Sequence, residues 1–183
     1  MTQTQIEEWR AGADGDAALE RDLDALSEVL REAVYGGAGV SFIVPFSLDE
    51  ARAFWLNKVV PGVRGGTRHV VVARMHDRIV GTVQIDLALP PNQQHRAEVA
   101  KLLVHPAARR YGIAREMMRA LEAVAQARGR TLMTLDTVTG GPAEALYRSI
   151  GYETVGVIPR YARQALSPEL EGTTIMYKEL RSE

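Results

Sequence analysis

The residues with the clearest chemical content lie between Leu102 and Arg115. An apolar run ends at Val104, and His105-Pro106-Ala107-Ala108-Arg109-Arg110-Tyr111-Gly112-Ile113-Ala114 leads into a helical pattern. Small residues stand where a ligand must approach the backbone: Gly112 has no side chain and Ala114 a minimal one. The free N–H groups of a first helical turn carry partial positive charge, and a diphosphate is a ligand that such a turn can hold. Arg109, Arg110 and Arg115 add forked donors for a diphosphate or a ribose phosphate. Residue types alone leave two readings side by side, a pyrophosphate cradle and a purely structural turn. A Walker loop is excluded because no Gly-Lys-Ser/Thr follows, and the dinucleotide pattern because its three glycines are missing.

Two carboxylates and a tyrosine stand near this turn in the chain order. Glu98 lies on the strand before it, Asp136 at the carboxyl end of the next strand, and Tyr147 on the short helix after that. If the two strands are adjacent and parallel, Glu98 and Asp136 approach one cleft. Each residue also has a structural reading. Glu98 fits a solvated strand position, Asp136 a strand end where it satisfies loop N–H groups, and Tyr147 the core face of an amphipathic helix beside Leu146 and Ile150. Trp9, Trp55, Met117, Met118 and His105 read as packing or structural residues.

The elements that must position these groups are legible from periodicity. Gln5 to Ala11 reads as a strand, and Leu19, Leu23, Leu26, Leu30 and Val34 mark a core-facing helix closed by Gly36 and Gly37. The glycine-rich stretch Gly36 to Gly39 leads to Phe46 as a candidate pocket wall, and Ser47 caps a second helix through Asn57. His69 to Ala73 and Ile79 to Leu89 predict a β-hairpin around His76-Asp77. Arg96 to Val104 is a strand, Tyr111 to Ala127 a helix, Thr131 to Thr137 a strand, Pro142 to Ser149 a helix, and Tyr152 to Ile158 and Thr173 to Leu180 strands. A meander followed by strand, helix, strand, helix and strands predicts one α/β sheet.

The chain has 183 residues, which fits a single domain over 1–183. Its 46% hydrophobic and 25% charged residues are those of a globular protein. A net charge of −1, without a basic stripe, gives no general attraction for nucleic acid or anionic membrane, so neither is expected as a partner. No apolar run approaches a membrane span. The absence of cysteine excludes a disulfide scaffold and a thiolate nucleophile, and points to a cytoplasmic protein. With four scattered His and no Cys, no transition-metal ligand set is visible and no metal is expected, with a carboxylate-only magnesium site left open.

Arg109-x-x-Gly112-x-Ala114 after an apolar strand and a His-Pro step resembles the coenzyme A motif of the GCN5-related N-acetyltransferases (GNAT). The segment Ala143-Glu144-Ala145-Leu146-Tyr147-Arg148-Ser149-Ile150-Gly151-Tyr152 resembles that family's late Leu-Tyr and Gly-Phe pattern, and the chain order matches over nearly the whole length. Val34 to Phe42, Asn92 to Leu103 and Leu135-Asp136-Thr137 are similar to the tabtoxin-resistance branch. One departure from the wider family is Gly140, where an asparagine often stands.

The resemblance implies a single GNAT-type α/β domain: a mixed, mostly antiparallel sheet, splayed at a central parallel pair, with helices on both faces. It implies acetyl-CoA as co-substrate, held by Leu102, Leu103 and Val104 on the strand and by Arg109, Arg110, Tyr111, Gly112, Ile113, Ala114 and Arg115 in the turn. It further implies that Glu98 and Asp136 deprotonate an amine through water, that an N–H of Leu103 or Val104 polarises the thioester carbonyl, and that Tyr147 is the acid that protonates the leaving thiolate. The implied acceptor is a primary amine of a small molecule such as an amino-acid-like toxin or antibiotic, whose acetylation would confer resistance. Amino-terminal acetylation of a peptide or protein, and a non-catalytic acyl-CoA-binding domain, are the alternatives. Arg160 and Arg163 are candidates for a substrate carboxylate, and the final strands for a homodimer surface.

Overall fold

The computed structural model describes residues 4–180. Seven strands form one sheet in the order β1-β2-β3-β4-β5-β7-β6. They are β1 (Gln5–Glu8), β2 (Arg68–Met75), β3 (Arg78–Asp86), β4 (Arg96–Val104), β5 (Leu132–Val138), β6 (Glu153–Arg163) and β7 (Leu170–Glu179). Only β4 and β5 run parallel; every other neighbouring pair is antiparallel.

Alternation along the strands divides the buried residues into two cores. Val70 and Val72 of β2 pack with helix α1 (Asp16–Tyr35) and helix α2 (Leu48–Phe54) on one face. Val71 and Ala73 point the other way, into a core with helix α4 (Ile113–Ala127) and helix α5 (Pro142–Ser149). The period of two thus places helices on both faces, as the resemblance implies.

The second helix runs beyond the expected Asn57. α2 starts from a reciprocal Ser47–Glu50 capping box and continues through a π turn (Trp55–Val59) into α3 (Val60–Arg64). In that turn the Val60 N–H reaches back five residues to the Trp55 carbonyl. The widened turn makes room for Pro61, which has no N–H to give.

Two strand lengths also differ from expectation. β1 ends at Glu8, after which Trp9 N–H makes one more bond to Val70 O and the chain turns away. The segment Pro159 to Thr173, expected as a connection, is largely strand: β6 runs to Arg163 and β7 begins at Leu170. Register breaks between Ile158 and Ala162 accommodate Pro159, and an edge strand tolerates a residue that cannot donate. No residue of β6 is buried, and Val155, Val157 and Ile158 are exposed on it.

Among the described residues, no helix is long and apolar enough to cross a membrane.

Candidate active site

The parallel pair is short. β4 and β5 pair at Arg96↔Leu132, Ala97↔Met133 and Glu98↔Thr134 and then diverge. Beyond that point β4 stays paired to β3 alone, through Leu103↔Thr82 and Val104↔Gly81, so from Val99 onward its β5 side has no strand partner. A ligand can therefore pair with the strand there, and the expected splay is present.

Glu98 sits at the last rung before the fork. It is exposed, and Arg96 Nη1 donates to its Oε2 at 3.3 Å while also donating to Thr134 Oγ1 at 2.6 Å. Asp136, two residues past Thr134, lies on the same face as Glu98 but beyond the fork. Thr173 Oγ1 lies 3.0 Å from both Asp136 Oδ2 and Thr137 O, and shares its one proton between them. The two carboxylates line different cavities. Asp136 faces one of about 280 Å³ walled by Phe42, Ile43, Tyr161 and Arg163. Glu98 faces one of about 370 Å³ walled by Phe54, Gln84 and Lys101.

Tyr147 lies in the core on the α4–α5 face of the sheet. It is buried, with its ring 5.5 Å from that of Tyr152. Burial, with the negative charge of Asp136 adding to it, pushes its hydroxyl well above the ordinary phenol range. α5 is itself fixed at its start, where Gly140 N–H donates to Glu144 Oε2 at 2.5 Å.

The turn that follows β4 has the shape its residues suggest. Gly112 is the N-cap of α4 at φ 79°, and a Cβ added there would meet nothing within 4 Å. That is a left-handed conformation facing open space, suited to glycine. Arg115 and Glu116 N–H both bond Gly112 O, which leaves the N–H groups of Ile113 and Ala114 as the free donors of the first turn. Ile113 itself is core, and Leu103 is buried, so both offer a ligand their backbone only.

The arginines divide. Arg110 (φ 70°) and Arg109 are exposed, the latter anchored by Nε to Val104 O at 3.1 Å. Arg115 is turned toward α5, donating to Ser149 Oγ at 2.8 Å and Ser149 O at 3.4 Å. Tyr111 is 71% exposed beside the turn, and Leu102 and Val104 border the unpaired side of β4. His105 is structural, accepting from Ala107 N–H at 3.2 Å. The free N–H pair, the open Gly112 and the unpaired strand edge together fit an extended ligand with a diphosphate.

Several cleft residues carried no message in the sequence reading. The Gly36 to Phe46 wall is as expected, and Gly39 is there because a Cβ would stand 2.4 Å from Val138 Cγ2. Gln84, Thr173 and Glu171 belong to no motif in the sequence, and Lys101 only to the stretch Asn92 to Leu103, yet all line the two cavities. For Lys101 a signal existed: Leu102-Leu103-Val104 breaks the alternation begun by Ala97 and Val99, which marks a bulge.

A mixed sheet that forks at its one parallel pair, with a small-residue turn opening a helix beside the fork, is the GNAT acetyltransferase fold. Residues 66–154 match the family model described as an acetyltransferase (GNAT) domain. Solved structures similar to this one include a ribosomal-protein-alanine N-acetyltransferase from Brucella melitensis (TM-score 0.77, 24% identity, covering 96% of this chain and 99% of that one). A GNAT superfamily phosphinothricin acetyltransferase from Sinorhizobium meliloti, in complex with acetyl-CoA, is similar at TM-score 0.75 and 22% identity, over 98% and 89% of the two chains. A Salmonella typhimurium structure with its cofactor acetyl-CoA gives 0.74 and 19%, over 98% and 95%.

Proposed function

We propose that this chain is one catalytic domain that transfers the acetyl group of acetyl-CoA to the primary amine of a small molecule. The observation that supports the reading is the fork itself: unpaired β4 backbone, an open helix N-terminus, and Asp136 just past the gap. When bound, acetyl-CoA supplies an activated acyl group as a thioester. The N–H groups of Ile113 and Ala114, with Arg109 and Arg110, hold its phosphates, and the β4 edge from Leu102 to Val104 holds the arm. An N–H of Leu103 or Val104 polarises the carbonyl.

An alkylamine with a pKa near ~10 is almost wholly protonated at neutral pH, so a base must remove its proton. Asp136 takes that role, with Glu98 as a second acceptor through water. Tyr147 donates a hydrogen bond to the departing sulfur. Its raised pKa lies well above that of a thiol, ~8.5, so the hydroxyl keeps its proton and stabilises the thiolate by hydrogen bonding. Tyr147→Phe should slow turnover by about ten- to a hundredfold, the value of one hydrogen bond to a charged atom. Wild-type turnover should show no decline from tyrosine ionisation as pH passes ~10, because that ionisation is displaced upward. An unchanged chemical step in Tyr147→Phe would remove the residue from the mechanism.

The Asp136 cavity, walled by Phe42 and Ile43 of the Gly36 to Phe46 loop and by Tyr161 and Arg163 of β6, holds only about 280 Å³, a size that favours a small acceptor over a peptide. The similarity to the tabtoxin-resistance branch directs attention to amino-acid-like toxins. The deciding experiment is calorimetric titration with acetyl-CoA followed by a thiol-release assay on an amine panel. Micromolar binding and transfer to small amines are expected. No binding by folded protein would overturn the function, and binding without transfer to any amine would leave an acyl-CoA-binding domain.

We infer also that a second copy pairs along β6. An apolar edge strand with no buried residue is an open template for pairing. Sedimentation should give a dimer that Val157→Lys weakens; a monomer at all concentrations would refute it.

A further inference from the structure

β4 leaves its register at Lys101. Between Gln84↔Ala100 and Thr82↔Leu103 it carries one residue more than β3, and Lys101 in that bulge adopts φ 55°. A lysine takes this left-handed conformation only where its surroundings impose it. Its Nζ stands 5.8 Å from the centre of the Phe42 ring and 5.7 Å from that of Phe54. Phe42 lines the cavity of Asp136, whereas Phe54 and Lys101 line that of Glu98. The ammonium therefore stands on the partition between the two candidate bases.

It has no counter-charge of its own there. Among the described residues no carboxylate comes within ion-pair distance of Lys101, and its only close partners are the two rings. In the Lys101 cavity the one arginine, Arg68, is already paired with Asp86, while Arg163, one of the two expected carboxylate ligands, lines the other cavity and donates its Nε to Ser167 O at 3.1 Å. A second group in the Lys101 cavity also lacks a partner. Gln84 is 3% exposed, and its Oε1 accepts no hydrogen bond. A buried acceptor without a donor costs free energy that a ligand's N–H would recover. Burial lowers the pKa of Lys101, the charge of Asp136 opposes this and that of Arg68 adds to it. A carboxylate brought by a ligand would supply the missing partner.

We propose that the acceptor is an amino carboxylate, and that Lys101 binds its carboxylate while Gln84 Oε1 accepts an N–H from the same molecule. This rests on the N-acetyltransferase reading and narrows it. A zwitterion lays its carboxylate on Lys101 and its ammonium toward Glu98 and Asp136. A peptide amino terminus, whose nearest carbonyl is an amide, lacks the anionic end.

The test pairs each proteinogenic amino acid with its own primary amide as acceptor, together with simple alkylamines. Rates are expressed per neutral amine, because amidation lowers the amine pKa. For the amino acids that are acetylated, the acid should exceed its amide in kcat/KM by about ten- to a hundredfold, with the difference in KM. Lys101→Met should bring the ratio near unity, and Lys101→Arg, which retains the charge, should preserve most of it. A readout without turnover is calorimetry in the presence of CoA, where the N-acetyl amino acid should bind more tightly than its N-acetyl amide by a similar factor. Equal constants for acid and amide in the wild type, an unchanged ratio in Lys101→Met, or transfer to alkylamines but to no amino acid would each overturn the anchor and leave the acetyltransferase intact. Failure to bind acetyl-CoA would instead overturn the reading beneath it.

Discussion

Asp136→Asn should lower kcat/KM by about a hundredfold or more at pH 7, the usual range for losing a general base. The change is close to isosteric. An asparagine oxygen can still accept from Thr173 Oγ1, and the exposed position makes no demand on the core. What is lost is the charge and the basicity. The defect should shrink as pH rises toward the pKa of the amine, since a growing neutral fraction of acceptor needs no base. Acetyl-CoA affinity, set by the turn and the β4 edge, should not move.

Glu98→Gln should cost less, because Glu98 lies at the closed end of the fork with Arg96 beside it. Asp136 lies past the fork, where its charge is felt by both Tyr147 and Lys101. The comparison is to be made on one acceptor over a pH series. Full activity in Asp136→Asn at pH 7, with the whole loss in Glu98→Gln, would transfer the base to the other strand.

The residues that sequence reading reaches are those whose roles depend on local chain geometry. A strand, a glycine that must turn left-handed and a helix are neighbours in the chain, so Val104, Gly112 and Ile113 announce the strand–turn–helix unit without any tertiary information. The same holds for Pro142 to Ser149, which falls on α5 with both ends as expected. The fork is legible only through family resemblance, since its cause is the absence of pairing after Glu98↔Thr134, a property of two strands separated by the whole of α4.

Lys101 and Gln84 are further from reach. Each becomes notable through what it lacks, a counter-charge or a donor, and such a deficit exists only once every neighbour is in place. Arg115 shows the converse. Its position in the turn suggests a phosphate ligand, but Ser149, distant in sequence, holds its guanidinium. Arg160 and Arg163 belong to strand β6 because β7 pairs with it, a partnership that local propensity around Pro159 opposes.

Gly112→Trp should weaken acetyl-CoA binding by about a hundredfold or more, as the loss of several charge-assisted hydrogen bonds would. Two effects of the substitution must be separated. At φ 79° any L side chain is strained by about 1–2 kcal/mol, a fraction of the 5–15 kcal/mol typical of a domain. The second effect is specific to place: the indole would stand at the opening of the Ile113 and Ala114 N–H pair and hold a diphosphate away from it.

Gly129 supplies the control. It lies just beyond the other end of the same helix, at φ 70°, and a Cβ there likewise meets nothing within 4 Å. Gly129→Trp therefore imposes a similar backbone strain on α4 without touching the cradle. Calorimetry on both variants should give near-wild-type acetyl-CoA affinity for Gly129→Trp and little or no heat for Gly112→Trp, with similar unfolding midpoints. Equal affinities for the two would mean that the diphosphate does not rest on the first turn of α4, and the open glycine would then be a structural turn and nothing more.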